Sequence, residues 1–203
     1  MEIGSFDIDQ VHRPTATPHN WTGTYFDVWQ RQSSGPPVLI SQAWNYDKAF
    51  DGIRELAHFK LPNSVPAHTL PGVPISDPKT YEIRALREMG TQAMLTNQPA
   101  ILPFIYSEDG MYAPHDAPAL KGREEIAAFL KDYTANWPPF DYVDVSTDRL
   151  DFSDAGVVEH MSYNLRWIGE GQTGVSIGKG IRIWTRNKDG MLQSYRQIAM
   201  HEF

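Results

Sequence analysis

A histidine and an aspartate stand next to each other in the segment Pro114–Pro118 (PHDAP), where they could act together as a general base. An imidazole accepts a proton near neutral pH, and an adjacent carboxylate can stabilise its protonated form. The same segment is also a good turn sequence, because proline and aspartate favour turns. His115 and Asp116 are therefore candidate catalytic residues, with an ordinary surface turn as the alternative.

A second candidate group lies on the predicted strand Val157–Ile168. Successive side chains of a strand point to opposite faces, so Glu159 and His160 lie on different faces. Glu159 is the single acid on a face that is otherwise apolar or aromatic. A carboxylate in such a place is either a catalytic acid or base or one half of a buried ion pair. The same face, which we expect to point into a pocket, also carries Met161, Tyr163, Leu165 and Trp167.

The sequence contains no motif for a metal or a nucleotide cofactor. There is no cysteine and no HExxH pattern, and the glycines between positions 169 and 180 lack the strand-to-helix setting of a phosphate-binding loop. We therefore predict no cofactor and no metal. His160 and His201 are expected to face outward or flank the C-terminal end, and not to serve as ligands.

Composition excludes several classes of protein. The formal net charge is -7 and the basic residues form no cluster, which argues against a nucleic-acid partner. No apolar run approaches the roughly 18 residues of a membrane span, so no membrane partner is expected. The acidic segment Met1–Gln10 does not resemble a secretory signal, which predicts a cytoplasmic location.

The elements that must position these residues follow from periodicity. Two amphipathic helices are predicted at Pro78–Leu95 and Gly122–Tyr133, with a turn or two of helix over Pro99–Tyr106 before a short strand at Gly110–Tyr112. Strand patterns then cover Asp141–Asp151, Val157–Ile168, Gly174–Arg186 and Met191–Phe203, and Asn187–Gly190 forms the last hairpin turn. This order predicts an α+β fold with an antiparallel meander.

The N-terminal part is predicted to be a smaller appendage. Thr22–Arg31 and Pro37–Trp44 form a β-hairpin, and Asn45–Phe59 has the pattern of a short helix. We divide the chain into an appendage at 1–60, a proline-rich linker at 61–77 and a main domain at 78–203. The hairpin carries too much apolar surface to stand alone, so we expect it to pack on the main sheet, in cis or exchanged within a homodimer.

A weak internal repeat links the two hairpins. A shift of 155 positions aligns Gly23, Trp29, Arg31, Gly35 and Gln42 with Gly178, Trp184, Arg186, Gly190 and Gln197. Shared turn and aromatic preferences could produce these matches by chance. We favour a duplication in which the first copy has lost its helical half.

Tyr106–Leu130 (YSEDGMYAPHDAPALKGREEIAAFL) and the closing hairpin that ends in Phe203 carry a resemblance to a known family. They resemble the ketosteroid-isomerase-like and polyketide-cyclase-like proteins of the nuclear-transport-factor-2-like superfamily, and the likeness covers about residues 78–203. The resemblance implies a cone of helices in a strongly curved antiparallel sheet, an apolar pocket for a hydrophobic small-molecule ligand, and a homodimer.

The resemblance also implies which side chains face the pocket on the last two strands. On the predicted strand Gly174–Arg186 these are Gly180, Arg182 and Trp184. On the last strand they are Gln193, Tyr195, Gln197, Ala199 and His201. Hydrophobicity alone favours the opposite face of the first strand, which carries Ile177, Ile181 and Ile183. We follow the resemblance and expect these isoleucines to cover an oligomer contact or the N-terminal segment.

The catalytic groups of the steroid isomerases are missing. Their carboxylate base would fall at Ala113 or Pro114, their tyrosine near Gly90 and their protonated aspartate at Arg182. We instead predict His115, Asp116, Glu159, Arg182 and Tyr195 as catalytic residues. The substrate would be bound by Tyr112, Met161, Tyr163, Leu165, Trp167, Trp184 and Gln197.

The function that follows is cofactor-independent isomerisation, cyclisation or dehydration by general acid/base catalysis. The substrate would be a hydrophobic carbonyl- or hydroxyl-bearing compound of polyketide, terpenoid or steroid type. The alternative is a non-catalytic ligand-binding or assembly module with the same fold.

Overall fold

The N-terminal residues form an antiparallel sheet of three strands in the order β1-β2-β3. The computed structural model describes residues 1–12, 17–49, 77–135, 137–169 and 171–201. Its first strands are β1 (Glu2–His12), β2 (Thr17–Gln30) and β3 (Val38–Tyr46). The predicted hairpin is therefore present, with β1 as an additional edge strand.

The helix predicted at Asn45–Phe59 does not begin where expected. Asn45 belongs to β3, where its side chain bonds to the main sheet, and tertiary pairing thus overrides the helical pattern there. The rest of that helix from Phe50 onward, and the proline-rich linker up to residue 76, lie outside the described residues.

The main domain begins with a helix whose start has a clear local cause. In α1 (Pro78–Leu95) the Asp77 side chain accepts a hydrogen bond from the Thr80 backbone N–H at 3.0 Å, and proline occupies the first position. Later elements are a 3₁₀ helix (Pro99–Ile105), β4 (Tyr106–Ala113), β5 (Leu120–Lys121) and α2 (Arg123–Ala135), which has acidic residues in its first turn. These bounds confirm both predicted helices.

Four long strands complete the curved sheet. They are β6 (Phe140–Ser153), β7 (Gly156–Gly169), β8 (Gln172–Arg186) and β9 (Leu192–His201). The strand order is β5-β4-β9-β8-β7-β6, and the β4–β9 pair is parallel while the others are antiparallel. Gly190 in the last hairpin turn has φ of 81°, which glycine adopts without strain. The predicted α+β class is confirmed.

The helices cover only part of the concave face of this sheet. Ile126 and Leu130 of α2 pack with Leu102 and Ile105 of the 3₁₀ helix and with Tyr106 of β4. Farther along, Ile83 of α1 forms a second cluster with Val157 and Trp184. The space left between these clusters is a cavity. No helix in the described part of the chain is long and apolar enough to cross a membrane.

The convex face of the main sheet is covered by the N-terminal sheet. Ile181 of β8 and Ile198 of β9 pack against Phe26, Val28 and Ala43. The Asn45 side-chain amide donates to the backbone carbonyl oxygen of Ala113 at 3.0 Å and to that of Ala199. The hairpin thus packs on the main sheet, and its apolar residues explain why this face of β8 carries isoleucines.

Candidate functional site

A cavity of about 510 Å³ lies between α1, α2, the 3₁₀ helix and the concave face of the sheet. Most of its lining is apolar or aromatic, with a few polar groups, as in pockets for hydrophobic small molecules. Six of the predicted substrate-binding residues line it: Tyr112, Met161, Tyr163, Leu165, Trp167 and Gln197.

Strand alternation and a small residue on β8 position the aromatic wall. Trp167 lies opposite Gly174 across the β7–β8 pair. A side chain at Gly174 would overlap the Trp167 indole ring, so glycine leaves the space that the indole fills. The position of the Trp167 ring on β7 therefore depends on the glycine that faces it on β8.

Five of the residues predicted to face the pocket are absent from its lining: Glu159, Gly180, Trp184, Gln193 and Tyr195. Trp184 is fully buried in the cluster with Ile83, so it is part of the core and does not line the cavity. Tyr195 is also absent from the lining, because a bulge pairs Ile183 with Arg196 but Trp184 with Ser194. The extra residue, Tyr195, changes the parity of β9 at this point. The expectation that Tyr195 faces the pocket as a catalytic residue is therefore wrong.

Glu159 is fully buried behind the cavity wall. Its carboxylate accepts hydrogen bonds from the Thr147 hydroxyl at 2.5 Å and from the Trp184 indole N–H at 2.8 Å. Nη1 of Arg182 lies 3.8 Å from Oε2 of Glu159, which is an ion-pair distance. The carboxylate is therefore held by donors on the two neighbouring strands, β6 and β8, and it does not itself line the cavity.

Arg182 lines the cavity and is only 7% exposed, so it does not lie in bulk solvent. Its Nε–H donates to the side-chain oxygen of Gln197 at 2.8 Å, and the Tyr106 hydroxyl donates to the same oxygen at 2.8 Å. The guanidinium lies over the Trp184 ring at 4.9 Å. These contacts fix the plane of the guanidinium.

A second arginine in the lining, Arg87 of α1, was missed from the sequence. Its Nη1 donates to the Thr147 hydroxyl at 2.5 Å, and that hydroxyl in turn donates to Glu159. The pKa of Arg87 is lowered, chiefly by burial, and the nearby Glu159 carboxylate opposes this shift. A polar residue on the apolar face of α1 was the only signal for this role.

At the other end of β9, two histidine rings meet in the cavity wall. The ring centres of His115 and His201 are 3.5 Å apart, and both residues line the cavity. Nδ1 of His201 lies 2.8 Å from the Ser176 hydroxyl oxygen. His201 thus faces the cavity at the end of β9, as the pocket-facing set implied by the resemblance has it, and not outward; its odd position places it on the same face as Gln197.

Burial lowers the pKa of His115 to about 4, and burial together with the neighbouring His115 lowers the pKa of His201 to about 4. Both rings are thus neutral at pH 7. Nε2 of His115 is 3.6 Å from Oδ2 of Asp116, which is too long for a hydrogen bond. Asp116 has φ of 58° in its turn and does not line the cavity.

The outward prediction holds for the other histidine. His160 does not line the cavity, and its Nε2 lies 3.5 Å from Oδ2 of Asp151. Gly90, which occupies the place of the steroid-isomerase tyrosine, lines the cavity without a functional side chain. No group of three or more metal-binding side chains is arranged to hold a metal ion within the residues described.

No protein-family model and no curated protein matches the chain, but solved structures do. A ketosteroid isomerase-like protein from Erwinia carotovora atroseptica SCRI1043 gives a TM-score of 0.55 at 14% identity, covering 63% of this chain and 99% of that one. The hexachlorocyclohexane dehydrochlorinase LinA-type3 from Novosphingobium barchaimii LL02 gives 0.53 at 16% identity, covering 62% and 87%. A Catenulispora acidiphila protein gives 0.54 at 15% identity, covering 61% and 91%.

These structures share the cone architecture, although their names refer to different kinds of protein. At such low identity the likeness concerns the fold alone. The fold is the one seen in these proteins, which include a ketosteroid isomerase-like protein, and the fold expected from Tyr106–Leu130 and the closing hairpin is confirmed at that level.

Proposed function

We propose that this protein is a cofactor-independent enzyme that isomerises, cyclises or dehydrates a hydrophobic carbonyl- or hydroxyl-bearing small molecule by general acid/base catalysis. The observation that carries the proposal is the pair of neutral imidazoles, His115 and His201, in the wall of a largely apolar cavity. A neutral imidazole can take a proton from a C–H next to a carbonyl or from a hydroxyl.

The distribution of groups along β9 suits such chemistry. Gln197 and His201 both face the cavity and are four positions apart, a separation of about 13 Å at about 3.3 Å per residue. Arg182 pairs with Gln197 across the sheet. A ligand of a few fused rings would therefore place one end against the imidazoles and the other against the guanidinium, which stabilises negative charge that develops there.

The similar fold of known small-molecule proteins supports the ligand class. A structure of the Catenulispora acidiphila protein in complex with S-DNPA gives a TM-score of 0.50 at 16% identity, covering 61% of this chain and 93% of that one. The homodimer and the cytoplasmic location expected from the sequence stay predictions.

An assay that needs no knowledge of the natural substrate tests the proposal. The α-protons of 2-tetralone exchange with D₂O when a base removes them, and NMR follows the loss of signal. We expect His115→Ala and His201→Ala to slow the enzyme-catalysed exchange by about a hundredfold or more. His160→Ala, on the other face of β7, should exchange at the wild-type rate. Equal rates in all variants would contradict the roles of His115 and His201.

One observation favours the alternative of a non-catalytic binding protein. A pKa of about 4 for both imidazoles makes them weak bases in the ligand-free protein. If the wild-type protein binds 2-tetralone without accelerating the exchange, the binding function replaces the enzymatic one.

A further inference from the structure

We propose that the cavity selects ligands with an anionic group, a carboxylate or an ionised enol or phenol, held by Arg87 and Arg182. This inference rests on the proposed function of the same cavity and names the substrate class more narrowly. The described residues that line the cavity include these two arginines, and they include no lysine, aspartate or glutamate.

The other titratable groups of the lining do not offset this charge. His115 and His201 are neutral at pH 7. Burial raises the pKa of the Tyr106 hydroxyl to about 12 and raises the pKa values of Tyr112 and Tyr133, so these groups are neutral as well. Two guanidinium charges therefore face the cavity without an anionic side chain in its wall.

Glu159, behind the wall, is the carboxylate closest in contact with these arginines. It lies 3.8 Å from Arg182 and reaches Arg87 through the Thr147 hydroxyl. Asp144 also acts electrostatically on Arg87, but it is not part of the lining. Within the described residues no carboxylate of the cavity wall itself pairs with these two charges, and a buried charge is costly unless it is paired.

The guanidinium groups also have N–H donors to spare. Arg182 uses its Nε–H on Gln197, and Arg87 uses Nη1 on Thr147; within the described residues, no further hydrogen bond of either group is found. Guanidinium groups bind carboxylates through paired N–H donors. The cavity thus provides both the charge and the donors for one anionic group, with apolar walls for the rest of the ligand.

The test compares 2-naphthoate with 2-naphthamide, which has the same rings and no charge, by isothermal titration calorimetry on the full chain. We expect the carboxylate to bind at least about tenfold more tightly. Arg182→Gln and Arg87→Gln should each abolish most of this preference, while the exposed Arg166→Gln should keep it. Glu159→Gln, which removes the competing carboxylate, should tighten 2-naphthoate binding.

The outcomes separate the two proposals. Equal affinity for both probes in the wild type, or an unchanged preference in both cavity arginine variants, overturns the anionic ligand class and leaves the cavity function standing. No binding of either probe contradicts the proposed cavity function itself. Circular dichroism on each variant shows whether it is folded, and either arginine variant alone suffices for the comparison.

A second inference rests on an independent observation, the agreement of the two hairpins in register. In β2–β3 the pairing shifts between Val28 and Trp29, and in β8–β9 it shifts between Ile183 and Trp184, which is the same position after the shift of 155. The turn glycines also correspond, with φ of 93° at Gly35 and 81° at Gly190. Chance matches in turn and aromatic residues would not reproduce a bulge.

The strand next to each hairpin also corresponds: β1 pairs with β2 as β7 pairs with β8. Gly23 lies opposite Phe6 in the β1–β2 pair, and Gly178 lies opposite Tyr163 in the β7–β8 pair. The Gln42 amide donates to the Asp27 carboxylate at 2.8 Å, as the Arg182 Nε–H donates to Gln197 at 2.8 Å. These two pairs occupy equivalent positions with the charge reversed.

The contact between the sheets is built from equivalent residues. Phe26 corresponds to Ile181 and Ala43 corresponds to Ile198, and all of them belong to one buried cluster. Contacts between equivalent patches of two copies are the mark of a two-fold interface. We infer that β1–β3 is the remaining part of a first copy of β7–β9 and occupies, within one chain, the place where a second copy would dock.

A comparison of two arginine substitutions tests this inference. Ala43→Arg puts a charge between the sheets, whereas Leu39→Arg changes an exposed residue of the same strand. We expect the wild-type chain not to self-associate through this face in light scattering, and we expect Ala43→Arg, but not Leu39→Arg, to lower the melting temperature or cause association. Equal melting temperatures, or a wild-type dimer that Ala43→Arg converts to a folded monomer, would overturn the inference.

Discussion

The residues of the cavity divide into an imidazole end and a guanidinium end. His115 and His201 are neutral because burial opposes their protonation, and the Glu159 carboxylate lies behind Arg87 and Arg182. Glu159 itself corresponds to the ion-pair alternative of the sequence analysis, since its carboxylate bonds to Thr147 and Trp184 rather than facing the cavity. Its part in any reaction would be to position the arginines.

The two histidines of the cavity wall predict a pH-dependent stability. Their pKa of about 4 in the folded protein lies below the ordinary 6.5, so the unfolded chain binds more protons between these values. Stability is therefore complete above about pH 6.5 and is lost as the pH falls from 6.5 toward 4. We expect the melting temperature to fall less between pH 7 and pH 5 in the double variant His115→Gln/His201→Gln than in the wild type.

His19→Asn, in the N-terminal sheet and outside the cavity, is the control for this experiment. The same fall in wild type and double variant would contradict the lowered pKa values of the two rings. NMR titration of the imidazole protons gives the pKa values directly.

At the scale of elements, much of the fold could be predicted because hydrophobic periodicity is a local property. The helix at Pro78–Leu95 has the predicted bounds, and the four long strands were predicted within a few residues. The edge strand β1 was missed, because its sequence EIGSFDIDQVH is mostly polar and its strand is formed by pairing with β2.

The candidate site was less predictable, because it depends on pairing and packing between elements. A bulge depends on pairing between strands, so the parity of β9 could not be followed through Tyr195, and Trp184 was placed in the pocket instead of the core. Arg87 reaches the cavity only through the packing of α1 over the sheet, whereas His201 belongs to the predicted pocket-facing set of β9. Strand alternation on β7, which needs no partner, placed Met161, Tyr163, Leu165 and Trp167 correctly in the lining.

The docking of the N-terminal sheet predicts the effect of removing it. Without residues 1–60, Ile181 and Ile198 would be exposed to water, although they are only 3% and 0% exposed in the full chain. We expect the truncated protein to aggregate or to melt at a much lower temperature. A truncated protein that is soluble and has the melting temperature and mass expected for an undisturbed main domain would show that the sheet is dispensable.

The two sheets have different roles in the whole molecule. The main sheet uses its concave face for the cavity and its convex face for contact with β1–β3, so a homodimer, if one forms, must use another surface. The helices leave about 510 Å³ free, and the chemistry proposed for that space needs only groups of this chain.

One measurement tests the imidazole end and the guanidinium end of the cavity together. The rate of 2-tetralone α-proton exchange in D₂O is measured with the wild-type chain at pH 7, with and without saturating 2-naphthoate. We expect the protein to accelerate the exchange and 2-naphthoate, bound at Arg87 and Arg182, to suppress the acceleration. No acceleration, or an acceleration that 2-naphthoate leaves unchanged, would contradict this expectation.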